Sequence, residues 1–531
     1  MQTTKRKQQL AERHDDAHVR SAPVLRLDRA RSIDSPLHGP IDESIRIRDR
    51  HQFEIKLHYP ISQKKKIASH DLECFIFVPR SLGLNRTNYS KARFYDDLQT
   101  HIRFKTPAVP LESIASHHDS PLRKLALSAD SMTQNDTEAN INAFEYRLKL
   151  FCCILQSALK KSTVLIHETE DPDKHERLLK GYLDATGAII DDYRALRKKI
   201  AGSKKSDRAI RVYAFGDEYI SLLVERHSYE LLRQLDIAKN RTAPSQHRGV
   251  LELIRQEVGY RKSQGYPSIP THRNDNEQLI FRRNVLKKYM HKVLFLNTRT
   301  KDEGTVIEHG LLGIAAGISM LFATMVLFLS QSFYGPLTMQ VFLALVIGYM
   351  FKDRIKEILR VYFSRKVSSM FYDHRTRIYA SPERPIGYCR ESFDFVDEVK
   401  VPGRIMRIRN RDHMTEIEND WVSENILRYR KRIKLSSRAI SSAYLDIDTN
   451  GIKDIMRFNV AEMTRRMGNP RKELFVLEKN GYRRVKAERV YHLNMILCCG
   501  DGEHVRYKHF RIVLNRRKIK RIETLSAEYD Y

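Results

Sequence analysis

The sequence predicts a membrane protein with a two-helix transmembrane hairpin. On its N-terminal side lie a small β-containing module and a helical bundle, and on its C-terminal side an α+β domain with an antiparallel sheet. Three observations carry that expectation. Residues 310–351 hold no charged side chain, in a chain of 531 residues with 94 Lys and Arg. Between 137 and 305, apolar residues recur every three or four positions, the period of an amphipathic helix. Beyond about residue 374 the pattern alternates and carries Asn-Gly turns, the signal of β-hairpins.

In chain order, residues 1–50 are polar and without a lasting period, and read as a disordered basic tail. The β-containing module is expected over 51–112. Phe53, Ile55, Leu57 and Tyr59 alternate with Glu54, Lys56 and His58, the period of a half-buried strand. The run LECFIFVP follows a polar connection, so the two strands are expected to pair as a hairpin. Serine, histidine and acidic residues between Ser113 and Asp136 read as a linker.

The cytoplasmic helical region is expected over 137–305. Ile141, Phe144, Leu148, Phe151, Leu155 and Leu159 form one stripe, and Ile220, Leu223, His227, Leu231 and Leu235 form another. A lone histidine on such a stripe reads as core rather than as a ligand. Short connections between helices make neighbours antiparallel, hence a bundle.

A spanning helix needs about 20 apolar residues. The uncharged run is about twice that long and is broken by Gly335-Pro336, so two arms are expected, about 310–330 and 333–351. A juxtamembrane basic helix should follow over 352–374, and the cytoplasmic α+β domain over 375–531. Lys and Arg cluster on both flanks and are missing from the central turn. The positive-inside rule then puts both termini in the cytoplasm, at an integral membrane site expected to be a bacterial inner (cell) membrane. The cations expected to meet anionic headgroups are Arg282, Arg283, Lys287, Lys288 and Lys292 before the run, and Lys352, Arg354, Lys356 and Arg360 after it. Gly313 and Gly317, with the ridge Ala315, Ser319 and Ala323, are expected to let helices approach closely. Their partner is the second arm or the same helix of another copy, so a homo-oligomer through the hairpin is one expectation.

The net charge of +29 calls for an anionic neighbour, and the apolar run favours lipid over nucleic acid. Nucleic acid keeps one candidate site, LRYRKRIK, where Arg428, Arg430, Arg432 and Lys434 could contact phosphates and Tyr429 could stack a base. A second basic run, NRRKIKR, spans 515–521. Asp446, Asp448, Asn450 and Gly451 resemble the opening of a calcium loop, but Arg457 stands where its bidentate glutamate is needed and Lys453 adds a positive charge. The Asn-Gly turn accounts for these residues without a metal.

The six cysteines are Cys74, Cys152, Cys153, Cys389, Cys498 and Cys499. Adjacent pairs without any C-x-x-C argue against a disulfide framework or a zinc ribbon. No phosphate-binding, dinucleotide-binding or nucleophile-elbow motif is present, and neither a metal nor another cofactor is expected. The functional expectation is a non-enzymatic scaffold or regulatory protein that displays cytoplasmic modules at a membrane. A membrane-tethered nucleic-acid-binding protein and an enzyme without a recognisable motif are the alternatives.

Overall fold

A computed structural model describes residues 42–61, 66–116, 119–201, 207–237, 244–271, 276–336, 338–366, 371–381, 384–410, 424–443, 451–500 and 505–525. Residues 1–41 of the expected tail, the calcium-like positions 446–450 and the pair His117-His118 fall outside the described residues, while residues 42–47, expected to belong to the tail, form a strand.

Two antiparallel sheets carry most of the strands. In the first, β1 (Asp42–Ile47), β2 (Gln52–Pro60), β9 (Gly451–Asn459) and β4 (Leu98–Phe104) lie in the order β1-β2-β9-β4. In the second, β14 (Lys518–Thr524), β13 (Val505–Asn515), β12 (Tyr491–Gly500), β3 (Ile67–Pro79), β8 (Glu424–Ser436), β7 (Arg384–Val396), β6 (His374–Ser381) and β5 (Asn297–Asp302) follow one another across the sheet. The expected hairpin between residues 53–60 and 72–79 does not form. β2 pairs with β1 and β9, whereas β3 pairs with β8 and β12. The run Cys74–Val78 is buried on both faces, which fits a central strand and not the half-exposed arm of a hairpin. Residues 51–112 thus share both sheets with residues 375–531.

The inner faces of the two sheets meet across a core containing a buried ionic group. Lys431 Nζ of β8 lies 2.9 Å from Glu391 Oε1 of β7 and 2.7 Å from Asp454 Oδ2 of β9. Tyr429 donates to Glu391 Oε1 at 2.8 Å. Burial pushes the Asp454 carboxyl up, opposed by Lys431. Burial acts upward on Glu391 too, but the Lys431 cation and the Tyr429 hydroxyl outweigh it and hold the group down.

The helical region contains α1 (Lys91–Asp97), α2 (Pro121–Gln134), α3 (Glu138–Glu168), α4 (Pro172–Ala201), α5 (Asp207–Ile237), α6 (Pro244–Ser263) and α7 (Glu277–His291). α2 occupies what reads as a linker. The Ser120 hydroxyl accepts from the Arg123 N–H at 3.2 Å, and Leu122, Leu125, Ala129 and Met132 turn one stripe into the core. On α5, a β-carbon at Gly216 would stand 2.6 Å from Tyr193 Oη and 2.9 Å from Leu148 Cδ1, so any larger residue at the crossing with α3 and α4 must displace those side chains.

The apolar run forms α8 (Gly304–Tyr334) and the start of α9 (Met339–Lys366). The two-helix transmembrane hairpin is not what the structure shows. Among the described residues one helix, His309–Tyr334, is long and apolar enough to cross a membrane. The second arm begins late, at Met339, and its uncharged part ends at Phe351. That segment makes about 20 Å of helix at 1.5 Å per residue, well short of a hydrocarbon core of about 30 Å. Lys352, Arg354, Lys356 and Arg360 continue α9 itself, so the basic helix expected over 352–374 is, as far as it is described, the second half of α9 up to Lys366.

Candidate anion-binding face of the sheet

β8 alternates from Leu427 to Leu435. Leu427, Tyr429, Lys431, Ile433 and Leu435 are buried on the inner face, and Arg428, Arg430, Arg432 and Lys434 stand on the outer one. The four cations of the candidate nucleic-acid site are therefore on one surface. Tyr429 is not: it is buried and bonded to Glu391, so it offers no ring to a base.

Pairing brings further cations to these four. Across β5, β6, β7 and β8, the residues Lys301, Arg375, Arg390 and Arg432 sit opposite one another in a single row. The next row, two residues along, is Arg299, Arg377, Tyr388 and Lys434. Rows on one face of a strand repeat every ~6.8 Å and neighbouring strands lie ~4.8 Å apart, so a two-dimensional grid results. Arg299, Lys301, Arg377 and Arg432 are exposed, and Arg375, Arg390, Arg428, Arg430 and Lys434 half-exposed. Sequence reading found one column of this grid because its residues follow each other at every second position. The rest come from strands tens of residues away, and pairing alone assembles them.

The grid has internal order. Glu303 Oε2 lies 3.1 Å from Arg390 Nε, and its Oε1 is 3.3 Å from Arg375 Nη1. The guanidinium of Arg375 lies over the Tyr388 ring at 4.7 Å and that of Arg390 at 5.6 Å. Arg299 covers Tyr379 at 5.1 Å, and Arg430 covers Tyr372 at 5.8 Å. Asp71 of β3 binds Arg432. Its hydrogen bond raises the Arg432 value further. Burial pushes Glu73 up, opposed by Arg428 and Arg430. Cations still outnumber the acids Asp71, Glu73, Glu303 and Asp394 on this face.

At its far end the same outer face is closed by α10 (Gly403–Arg409), whose Ile405 and Ile408 pack with Phe75, Phe77, Ile426 and Ile496. The grid lies beyond that apolar cover. It adjoins instead the root of α8 and α9. The Glu303 N–H donates to the Asp373 carbonyl at 3.0 Å, joining the residue before α8 to the residue before β6. Asp373 is held in turn by Lys91 Nζ at 2.6 Å, Tyr95 Oη at 2.9 Å and the Phe393 N–H at 2.8 Å.

The expected headgroup cations divide. Arg282 grips the buried Glu218 at 2.6 Å and so braces α7 against α5. Lys287 is exposed, yet partial desolvation of its ammonium lowers its value, with Arg226, Arg46 and Arg103 adding to the effect. Arg283 is half-exposed, while Lys288 and Lys292 are exposed. On α9, Arg354, Lys356 and Arg360 are exposed, and Lys352 lies 3.8 Å over the Tyr349 ring. Of the small residues on α8, Ala315 and Ser319 are buried and Ala323 is half-buried. Gly313 and Gly317 face outward, with open space where a β-carbon would stand. The second basic run forms the β13–β14 turn, at the opposite edge of the sheet from β5.

A cleft of about 290 Å³ opens beside the start of α2. Its lining is largely apolar, with Val109, Leu150, Phe151 and Ile154, and its ionisable groups are Asp119, Lys124, Tyr146 and Arg147. Among the described residues no group of three or more His, Cys, Asp and Glu is arranged to hold a metal. Comparison with known proteins finds no matching family model, no matching curated protein and no matching solved structure.

Proposed function

We propose that the protein is a membrane-anchored scaffold, with α8 embedded in the bilayer and the sheet and helical bundle displayed beside it. One observation carries the reading. Of the most apolar stretch of α8, 11% is buried inside the protein. A soluble core helix of that composition is covered by its own fold, whereas this one leaves Ile314, Leu321, Phe328 and Phe333 open along its length. Lipid is the environment in which such a surface is stable.

The joint at Glu303 and Asp373 brings the start of α8 and the chain leaving α9 to one place, so α8 enters the bilayer there and α9, too short in its uncharged part to span, returns beside it. β5 enters α8 and β6 leaves α9 as hydrogen-bonded neighbours, so both flanks return to the same place. Clustered Lys and Arg on those flanks, together with six free cysteines, favour the cytoplasmic side of a cell membrane. No reaction is assigned, because the feature at the root is an open cationic face and not a convergence of acids and histidines in a cleft.

The test is alkaline carbonate extraction of membranes carrying the full chain. The protein should stay in the pellet. Leu321→Lys with Phe328→Lys, both on the exposed side of α8, should move it to the supernatant while leaving the sheets folded. Release of the unaltered chain would sink the reading.

A further inference from the structure

We propose that the row Lys301, Arg375, Arg390 and Arg432, with Arg299 and Arg377 behind it, binds the phosphates of anionic lipids at the root of α8. This inference rests on the membrane anchoring argued above, and it names the ligand of the cationic face.

Position is the first argument. Lys301 lies three residues before the start of α8, and Arg375 lies two residues after Asp373, the carbonyl partner of Glu303. The apolar window of α8 opens at His309. From Gly304 to that point the helix rises about 8 Å. A headgroup layer occupies roughly 5–7 Å on each side of the hydrocarbon core. The Lys301 and Arg375 end of the row therefore meets the outer edge of that layer, and Lys and Arg side chains are long enough to cover the remaining gap.

Charge is the second argument. In-register strands fix four cations in a line, and Glu303 holds two of them in place at the first turn of α8. A lipid phosphate approaching that line finds donors already oriented, and arginine presents a fork that matches its oxygens.

The aromatic rings decide between lipid and nucleic acid. A single strand gains much of its affinity by stacking bases on open rings. Here Tyr388 and Tyr379 already carry guanidinium groups on their faces, and Tyr429 is in the core. Among the described residues of these strands, the tyrosines on the face are occupied by guanidinium groups. That suits phosphates displayed on a membrane.

The experiment uses the full chain in dodecylmaltoside micelles, labelled with phenylglyoxal and read residue by residue by mass spectrometry. Adding phosphatidylglycerol should slow modification of Arg375, Arg377, Arg390 and Arg432, while phosphatidylcholine should leave it unchanged. The variant Arg299→Gln/Lys301→Gln/Arg377→Gln changes exposed residues. It should need more phosphatidylglycerol for the same protection, by about fivefold per cation removed at ~1 kcal/mol each. Equal modification with and without phosphatidylglycerol would overturn the assignment. So would equal protection by inorganic phosphate, which would mark a free-phosphate site, or by a lipid-free oligonucleotide, which would mark a nucleic-acid site. Carbonate extraction of the same variant keeps the two proposals apart. A variant that stays in the pellet but has lost protection confirms both roles. An unaltered chain that is released yet protected refutes anchoring alone.

Discussion

Lys431 is the residue on which the meeting of the two sheets turns. It is fully buried and serves two carboxylates from different sheets, so its removal leaves Glu391 and Asp454 facing each other without a cation. Lys431→Met should cost about 3–5 kcal/mol, read as a lower urea midpoint. Glu54 makes a second test through pH. Burial acts upward on it, yet hydrogen bonds from Arg457 and the charge of Arg46 hold it down to about 2. An unfolded glutamate titrates near 4.3, so this contribution is complete above that value and is lost as pH falls towards 2. Glu54→Gln should flatten the acid limb of the stability curve in that window. His227 works in a higher range. Burial, with Arg226 and Lys160 adding to it, lowers its value to about 4, and no described group hydrogen-bonds its ring. The unfolded chain takes up the proton first, so stability should fall as pH drops from about 6.5 to 4. His227→Leu should remove that slope.

Elements were legible where local pattern and final environment agree. The helices of the bundle follow their apolar stripes, and Lys479-Asn480 joins β10 (Arg471–Glu478) to β11 (Gly481–Glu488) in a hairpin, with Gly481 the first residue of β11. α2 was hidden because serine and histidine before it read as a connection, although Ser120 is in fact its cap. Ser120→Ala should lower stability by about 1 kcal/mol in thermal or urea unfolding. The apolar run shows the opposite failure. Absence of charge predicted two arms, but hydropathy says nothing about where a helix starts, and α9 starts too late to cross on its uncharged residues. The small residues of α8 divide, with Gly313 and Gly317 outward and Ala315 and Ser319 inward. Period gives a face but not a direction, and the buried face is that of Ala315 and Ser319.

At the scale of the molecule, the candidate site was readable by one quarter of its width. Arg428, Arg430, Arg432 and Lys434 announce a cationic strand face, but nothing local places Arg375 or Arg390 beside them. Strand order is a long-range property, set by which faces can be buried together, and a single sequence carries it weakly. The same limit kept residues 51–112 apart from 375–531 on reading, whereas β3 is inserted between β8 and β12.

That insertion has a consequence for how the protein is made. β3 leaves the ribosome long before either of its neighbours, and the apolar α8 is synthesised in between. The N-terminal strands must therefore wait, with Phe75 and Phe77 uncovered, until β8 and β12 have been made. A chain ending at residue 366 should aggregate or be degraded, even though it contains the whole bundle and α8. The sheet is completed only after α8 and α9 have been made, and the cationic face exists only once β8 has joined β7.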